Sequence, residues 1–230
     1  MKSNILVIAS PHNRNKPLVD RVKELLACST IVPIVSKKEL SLDNLESINP
    51  DFIFFPHWSW IIPEDIYTKY PCVIFHMTDL PYGRGGSPLQ NLIVRGHEET
   101  MLSGIKCVSE VDAGPIYKKV PLSLKGTAEE VLQRASVLME DLIVDIVNNH
   151  QNPIPQVGKV VSFLRRKPED GDIAKLDNLE KIYDYIRMLD ADGYPPAFID
   201  TIGLRFNFSQ AIWNGEILEA KVQIMRKNNE

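Results

Sequence analysis

Apolar residues in the first half of this chain alternate between two arrangements, short unbroken runs and helically spaced sets. Ile5–Ala9 is a run closed by Ser10-Pro11 and predicts a buried strand ending in a loop; in 17–26, Leu18, Val22, Leu25 and Leu26 recur at helical spacing and predict a helix with one buried face. A β-branched run follows at 31–35. Further short runs at 52–55 and 72–75 are bounded by Pro50, Pro56 and Pro71, and 104–108 precedes the loop at Asp112-Ala113-Gly114. Strands of this kind between helices predict an α/β fold with a mostly parallel sheet covered on both faces.

The clearest helix starts at Thr127, where Glu130 three residues later completes a capping box ahead of apolar positions from Val131 to Val147, and it should end near Asn148. A proline-containing segment at 152–155 breaks the pattern. Beyond it come the basic loop Arg165-Arg166-Lys167, an amphipathic helix over about 177–189, and alternating segments near 204–208 and 217–224 that read as a hairpin. These changes divide the chain into a larger α/β domain over 1–155 and a short C-terminal α+β subdomain over 156–230.

Composition narrows the function classes. The chain has 230 residues, 44% hydrophobic and 24% charged, enough to bury a sizeable core, which argues against disorder or a disulfide scaffold. Its formal charge of −4 and pI near 5.8 lack the global basic field of a typical nucleic-acid binder, leaving only a local basic patch as a route to one. Cys28, Cys72 and Cys107 sit singly in apolar surroundings and read as free, buried thiols of a reducing compartment. No long apolar run or cleavage-site pattern opens the chain, so a soluble, cytoplasmic protein with no membrane partner is expected.

Candidate chemistry concentrates between His76 and Gly114. No strand is followed by GxGxxG or GxxxxGK[ST], His12 and His150 carry no partner pattern, and no residues have metal-ligand spacing. Directly after the run ending at Phe75 stand His76-Met77-Thr78-Asp79-Leu80-Pro81-Tyr82-Gly83-Arg84-Gly85-Gly86-Ser87-Pro88-Leu89-Gln90. A histidine at a strand's carboxyl end thus leads into a glycine-rich turn, where ligands bind in open α/β sheets. Ser87 then reads as an N-cap with Pro88 at the first helical position, and Gly96 stops that helix.

The run His-x-Thr-x-Leu-Pro-x-x-Arg-Gly-x-x-Pro-x-Gln, followed by Gly96-His97-Glu98-Glu99-Thr100 and Asp112-Ala113-Gly114-Pro115-Ile116, resembles the folate-dependent formyltransferases. The likeness extends into the tail at Arg165 to Gly171, Ile186-Arg187, Pro195 and Ala197. It implies a Rossmann-like formyltransferase core, with 1–155 as catalytic domain, and 10-formyltetrahydrofolate as cosubstrate. It also implies His76 as the group that holds or relays the proton of the attacking amine, with Asp112 orienting the imidazole and stabilising its charged form. For the folate it implies contacts from His57, Trp58, Trp60, Ile62, Asp112 and Gly114, the aromatic stretch suiting a flat pterin. Thr78, Arg84, Gly85, Arg165 and Arg166 fall to the acceptor substrate, the two arginines of the basic loop as partners for a diphosphate.

One position departs from the family. Two residues before the histidine the family carries asparagine, and here stands Ile74, which donates no hydrogen bond to a developing oxyanion. His57, Thr78 and a backbone amide of the 83–86 turn are the candidates for that role. Of the family's acceptors, tRNA is disfavoured by the acidic balance and by the short tail in place of a larger C-terminal barrel. Glycinamide ribonucleotide is disfavoured by Arg84 to Pro88. The expected acceptor is therefore a nucleotide-linked amino-dideoxy sugar, UDP-4-amino-4,6-dideoxy-N-acetyl-altrosamine of pseudaminic acid biosynthesis, with no nucleic-acid partner and a homodimer left open. The substitution at Ile74 also leaves room for a folate-binding relative without turnover.

Overall fold

The computed structural model describes residues 4–149 and 152–227, so His150 lies outside the described residues. Its central sheet has six strands in the order β2-β1-β3-β4-β6-β7, with β1 Ile5–Ala9, β2 Thr30–Ile34, β3 Phe52–Phe55, β4 Cys72–His76, β6 Glu99–Lys106 and β7 Ile116–Ser123. The first four are mutually parallel and β6 runs antiparallel to β4. Between β4 and β6, β5 (Tyr82–Gly85) pairs with β8 (Val161–Phe163) in a two-stranded ribbon. The α/β architecture with a mostly parallel sheet is thus the one the apolar runs predict.

Those runs become strands because both of their faces are covered: Ile53, Phe54, Phe55 and Val73 have at most 1% of their surface exposed. On one face Val7, Ile53, Phe55, Ile66, Cys72 and Cys107 form a cluster with Ile74 and Trp58 packed at its margin. Phe52, Phe54 and Phe75 stack in line, with centroids 5.7 and 6.4 Å apart. Helix α1 (Lys16–Leu25) buries Leu18, Val19 and Val22, and α2 (Leu42–Ile48) is capped by Ser41, whose hydroxyl accepts from the Asn44 amide at 3.3 Å. After the short α3 (Glu64–Lys69) and α4 (Pro88–Ile93), the long α5 (Ala128–Asn149) opens on the expected capping box. The Thr127 amide donates to Glu130 at 2.8 Å and the Glu130 amide to Thr127 Oγ1 at 3.3 Å.

Contacts divide the chain into two compact units that interleave along the sequence: Met1–Arg84, Met101–Leu122 and Gln133–Ser162 in one, Gly85–Thr100, Ser123–Leu132 and Phe163–Glu230 in the other. The second contains α6 (Leu179–Arg187), capped by Asn178, and an antiparallel sheet β11-β10-β9 built from β9 Ala197–Asp200, β10 Leu204–Trp213 and β11 Leu218–Arg226. The last two are the expected hairpin, longer than its alternating stretches suggest and broken in register between Ser209 and Ile212. At that break Gln210 has φ +52 and its amide donates to Asp190 at 2.7 Å.

Arg187 shows how this unit is held together. It is 9% exposed, and its guanidinium donates to the carbonyls of Leu124 (2.7 Å) and Gly126 (3.1 Å) and to Asp184 (2.7 Å). Arg187→Met keeps the stem's packing but strips two buried carbonyls of their donor, so we expect chemical denaturation to show a loss of about 2 kcal/mol. A change below about 0.5 kcal/mol would show that water replaces the guanidinium at no net cost.

Two local expectations change. Ser87 precedes α4 with φ +51 and makes no side-chain cap; its hydroxyl instead accepts from the Arg166 amide at 3.1 Å. Cys28 is exposed, whereas Cys72 and Cys107 are buried, and none of the three forms a disulfide. Among the described residues no helix is long and apolar enough to cross a membrane, and no group of three or more His, Cys, Asp or Glu could hold a metal ion.

Candidate functional site

Strand alternation sets the site's first element. In β4, Cys72, Ile74 and His76 share one face, so the position where the resemblance calls for asparagine lies on the histidine's own side of the strand. His76 is 7% exposed, with Nε2 2.7 Å from the Gly83 carbonyl. A carbonyl only accepts, so Nε2 carries a proton, and in the neutral ring the lone pair is then on Nδ1. Thr78, fully buried, directs its hydroxyl at the same carbonyl at 3.4 Å, and Ser103 holds the Thr78 carbonyl at 2.8 Å. Thr78 thereby commits its one donor to its own chain. Gly83, at φ +80, supplies the turn that brings this carbonyl back over β4.

Asp112 is the second element. Its Oδ2 stands 3.5 Å from His76 Nδ1, and both side chains are largely buried. The Asp112 backbone has φ +52, a left-handed conformation that costs a non-glycine residue roughly 1–2 kcal/mol and so needs support from its surroundings. Support begins at Gly114, which lies so close to the Lys106 backbone that a Cβ there would sit 1.7 Å from the Lys106 oxygen. The Lys106 amide donates to the Pro115 carbonyl at 2.9 Å and the Ala113 amide to Glu110 at 3.3 Å. Beside this loop the Cys107 thiol is pushed up to about 11, by burial first and by the Asp112 charge second.

Arg84, expected to face substrate, turns toward this loop. Its Nε and Nη2 donate to Gln156 Oε1 at 3.1 and 2.8 Å, and its Nη1 pairs with Glu110 at 2.9 Å. Gln156 in turn donates to the carbonyls of Asp112 (2.7 Å) and Gly114 (2.9 Å). Neither Gln156 nor Glu110 stood out in the sequence. The only signal for Gln156 was its place just after the prolines that break the helical pattern, where a linker is the ordinary reading.

The aromatic segment follows β3. His57, at φ +53, has Nε2 3.3 Å from Ser136 Oγ, which donates to Asn15 at 2.9 Å. Trp58 packs edge-on to Phe55 and to Trp60, with centroids 5.6 and 4.9 Å apart, and its indole N–H is buried with no hydrogen-bond partner among the described residues. Ile62 belongs to the apolar cluster that Ile74 flanks, while Trp60 is 39% exposed.

Gly85, Arg165 and Arg166 belong to the second unit. A Cβ on Gly85 would lie 2.5 Å from the Phe163 oxygen, and one on Gly86 would meet Arg165 at 2.6 Å, so the glycines admit a close crossing of two chain segments. Arg166 donates to the Asp170 carbonyl at 2.6 Å and lies over the Tyr185 ring at 5.2 Å, while Arg165 is exposed.

A fold and motif of this kind define a class, and similarity to known proteins bears on it directly. A methionyl-tRNA formyltransferase from Clostridium thermocellum is 44% identical, with a TM-score of 0.95 over 97% of this chain and 100% of that one. The chain belongs to the formyltransferase family. Within that family, residues 168–225 match the domain described as "Methionyl-tRNA formyltransferase, C-terminal domain". The methionyl-tRNA formyltransferase of Thermodesulfovibrio yellowstonii is 26% identical over 77% of this chain, which spans 61% of that relative's length. A sugar N-formyltransferase from Shewanella is 16% identical, with a TM-score of 0.65 over 86% of this chain and 93% of that one, a likeness of fold alone.

These similarities overturn the nucleotide-linked amino sugar as expected acceptor and the expected absence of a nucleic-acid partner. Net charge averages over the whole surface and does not decide whether a local face meets nucleic acid. The tail read as too small for a tRNA enzyme is the part matched by the C-terminal domain of one. The diphosphate role for Arg165 and Arg166 falls with the sugar nucleotide that motivated it.

Proposed function

We propose that this chain transfers a formyl group from 10-formyltetrahydrofolate to the amino group of methionyl-tRNA. The observation that carries the reading is His76 beside Asp112 at the carboxyl end of β4, in a chain similar over almost its whole length to a methionyl-tRNA formyltransferase. The donor fits an unsatisfied feature of the aromatic segment: a pterin offers acceptors, and the buried Trp58 indole N–H needs one.

In the transfer, a bond forms from the amine nitrogen to the formyl carbon, the bond from that carbon to the folate N10 breaks, and a proton passes from amine to N10. His76 takes the amine proton on Nδ1, the ring nitrogen left with a lone pair by the bond from Nε2 to Gly83. Gly83 therefore does the orienting that the resemblance assigned to Asp112. Asp112, beside Nδ1, offsets the positive charge that appears there as the proton arrives. Of the expected replacements for the family's asparagine, Thr78 is committed to Gly83, the His57 Nε2 proton to Ser136 and the Gly86 amide to the Phe163 carbonyl, so the role falls to another amide of the 83–86 turn.

The test is a panel of acceptors with 10-formyltetrahydrofolate: methionyl-tRNA, glycinamide ribonucleotide, and UDP- and dTDP-linked amino sugars, each followed by mass spectrometry. Methionyl-tRNA should gain a formyl group with kcat/KM at least about 100-fold above the others, because the tRNA body adds binding energy they lack. Preference for glycinamide ribonucleotide would overturn the acceptor. Ile74 favours a second reading, a relative that binds folate without turnover, and folate binding with no acceptor formylated would establish it.

A further inference from the structure

We infer that Gln156 is a positioning residue for the reaction, holding Asp112 in register with His76. The inference rests on the role given to Asp112 above. All four hydrogen-bonding positions of the Gln156 amide are occupied: Oε1 accepts twice from Arg84, and Nε2 donates to the carbonyls of Asp112 and Gly114. The two carbonyls flank the Asp112–Gly114 turn, which must be held in place because Asp112 is left-handed. Arg84 fixes the amide's orientation, since only an oxygen can face its two donors. It also fixes Glu110 at the turn's beginning, so a single guanidinium anchors both the side chain that grips the turn and the residue that starts it.

Only an amide can serve here. A carboxylate at this position would keep the pairing with Arg84 but would present an acceptor to two carbonyls, and an alanine would release both sides. Gln156 is half-buried, so either substitution leaves the apolar core untouched.

The experiment compares Gln156→Ala and Gln156→Glu with Asp112→Asn in the full chain. With 10-formyltetrahydrofolate and methionyl-tRNA, both Gln156 variants should lose about 10- to 30-fold in kcat with KM for the donor within a few-fold, the mark of misplacement at the reacting centre. A second readout needs no turnover: in ¹⁵N spectra of labelled histidine, the His76 Nδ1 resonance should move in both Gln156 variants in the direction that Asp112→Asn moves it. Adding Gln156→Ala to Asp112→Asn should then move it little further. A packing role alone would be rescued by the isosteric Gln156→Glu, and rescue of kcat and of the resonance would overturn the inference. An unmoved Nδ1 resonance in both variants would overturn it too. Should the unmodified chain formylate no acceptor, the functional reading fails, and the resonance alone decides whether Gln156 holds Asp112 against His76.

Discussion

Replacing His76 by alanine is expected to lower kcat for formyl transfer by at least about 100-fold while the dissociation constant of the donor stays within about three-fold. The separation follows from where the ring lies. His76 Nε2 is committed to the Gly83 carbonyl and Nδ1 faces Asp112, so neither nitrogen is assigned to the folate. In the role proposed for it, its removal deletes the lone pair that would take the amine proton, and a 100-fold loss corresponds to about 2.7 kcal/mol of transition-state stabilisation. Once the ring is gone, Asp112 has no imidazolium to stabilise. Asp112→Asn on top of His76→Ala should therefore cost little more than the worse single change, as for residues that act as a unit. Stopped-flow turnover and equilibrium folate titration check the two halves separately. A large loss of folate affinity with turnover intact would remove His76 from the chemistry and place it in the donor pocket.

The parts of this site that were legible in the sequence are those fixed by local pattern. His76 follows an apolar run that could only be a covered strand, and the glycines after it announce a turn, so its place at a strand's carboxyl end needed no long-range information. Asp112 and Gly114 were found by motif, but their geometry was not, because the loop they form packs against the Lys106 backbone and is gripped by the distant side chain of Gln156. Ser87 shows the same limit. Its type and its place before Pro88 predict a helix cap, yet the amide of Arg166 reaches its hydroxyl first. Arg84 and Arg166 were assigned to the acceptor through the resemblance and the basic loop. The intramolecular partners they have in the fold, Gln156 and the Asp170 carbonyl, are visible only once the chain has folded.

Gly114→Ala is expected to lower the melting temperature by about 6–12 °C, the equivalent of about 3 kcal/mol for a chain of this length, and to reduce kcat by about 100-fold. The cause is steric. A Cβ at this position would lie 1.7 Å from the Lys106 oxygen and 2.9 Å from its carbon, both of them backbone atoms at the end of β6 with no rotamer to escape into. The loop must therefore move away from the strand, carrying Asp112 two residues earlier off Nδ1 of His76 and pulling the Gly114 carbonyl from Gln156. Gly96→Ala is the control that separates space from backbone conformation. Gly96 has φ +77 with nothing within 4 Å of an added Cβ, so that variant bears only the cost of a left-handed alanine, about 1 kcal/mol, and should keep its activity. Differential scanning calorimetry with parallel turnover measurements distinguishes the two. If Gly114→Ala melts and turns over like the unmodified chain, the loop has room to spare, and the close packing of Asp112-Ala113-Gly114 on Lys106 is not what holds the carboxylate beside the imidazole.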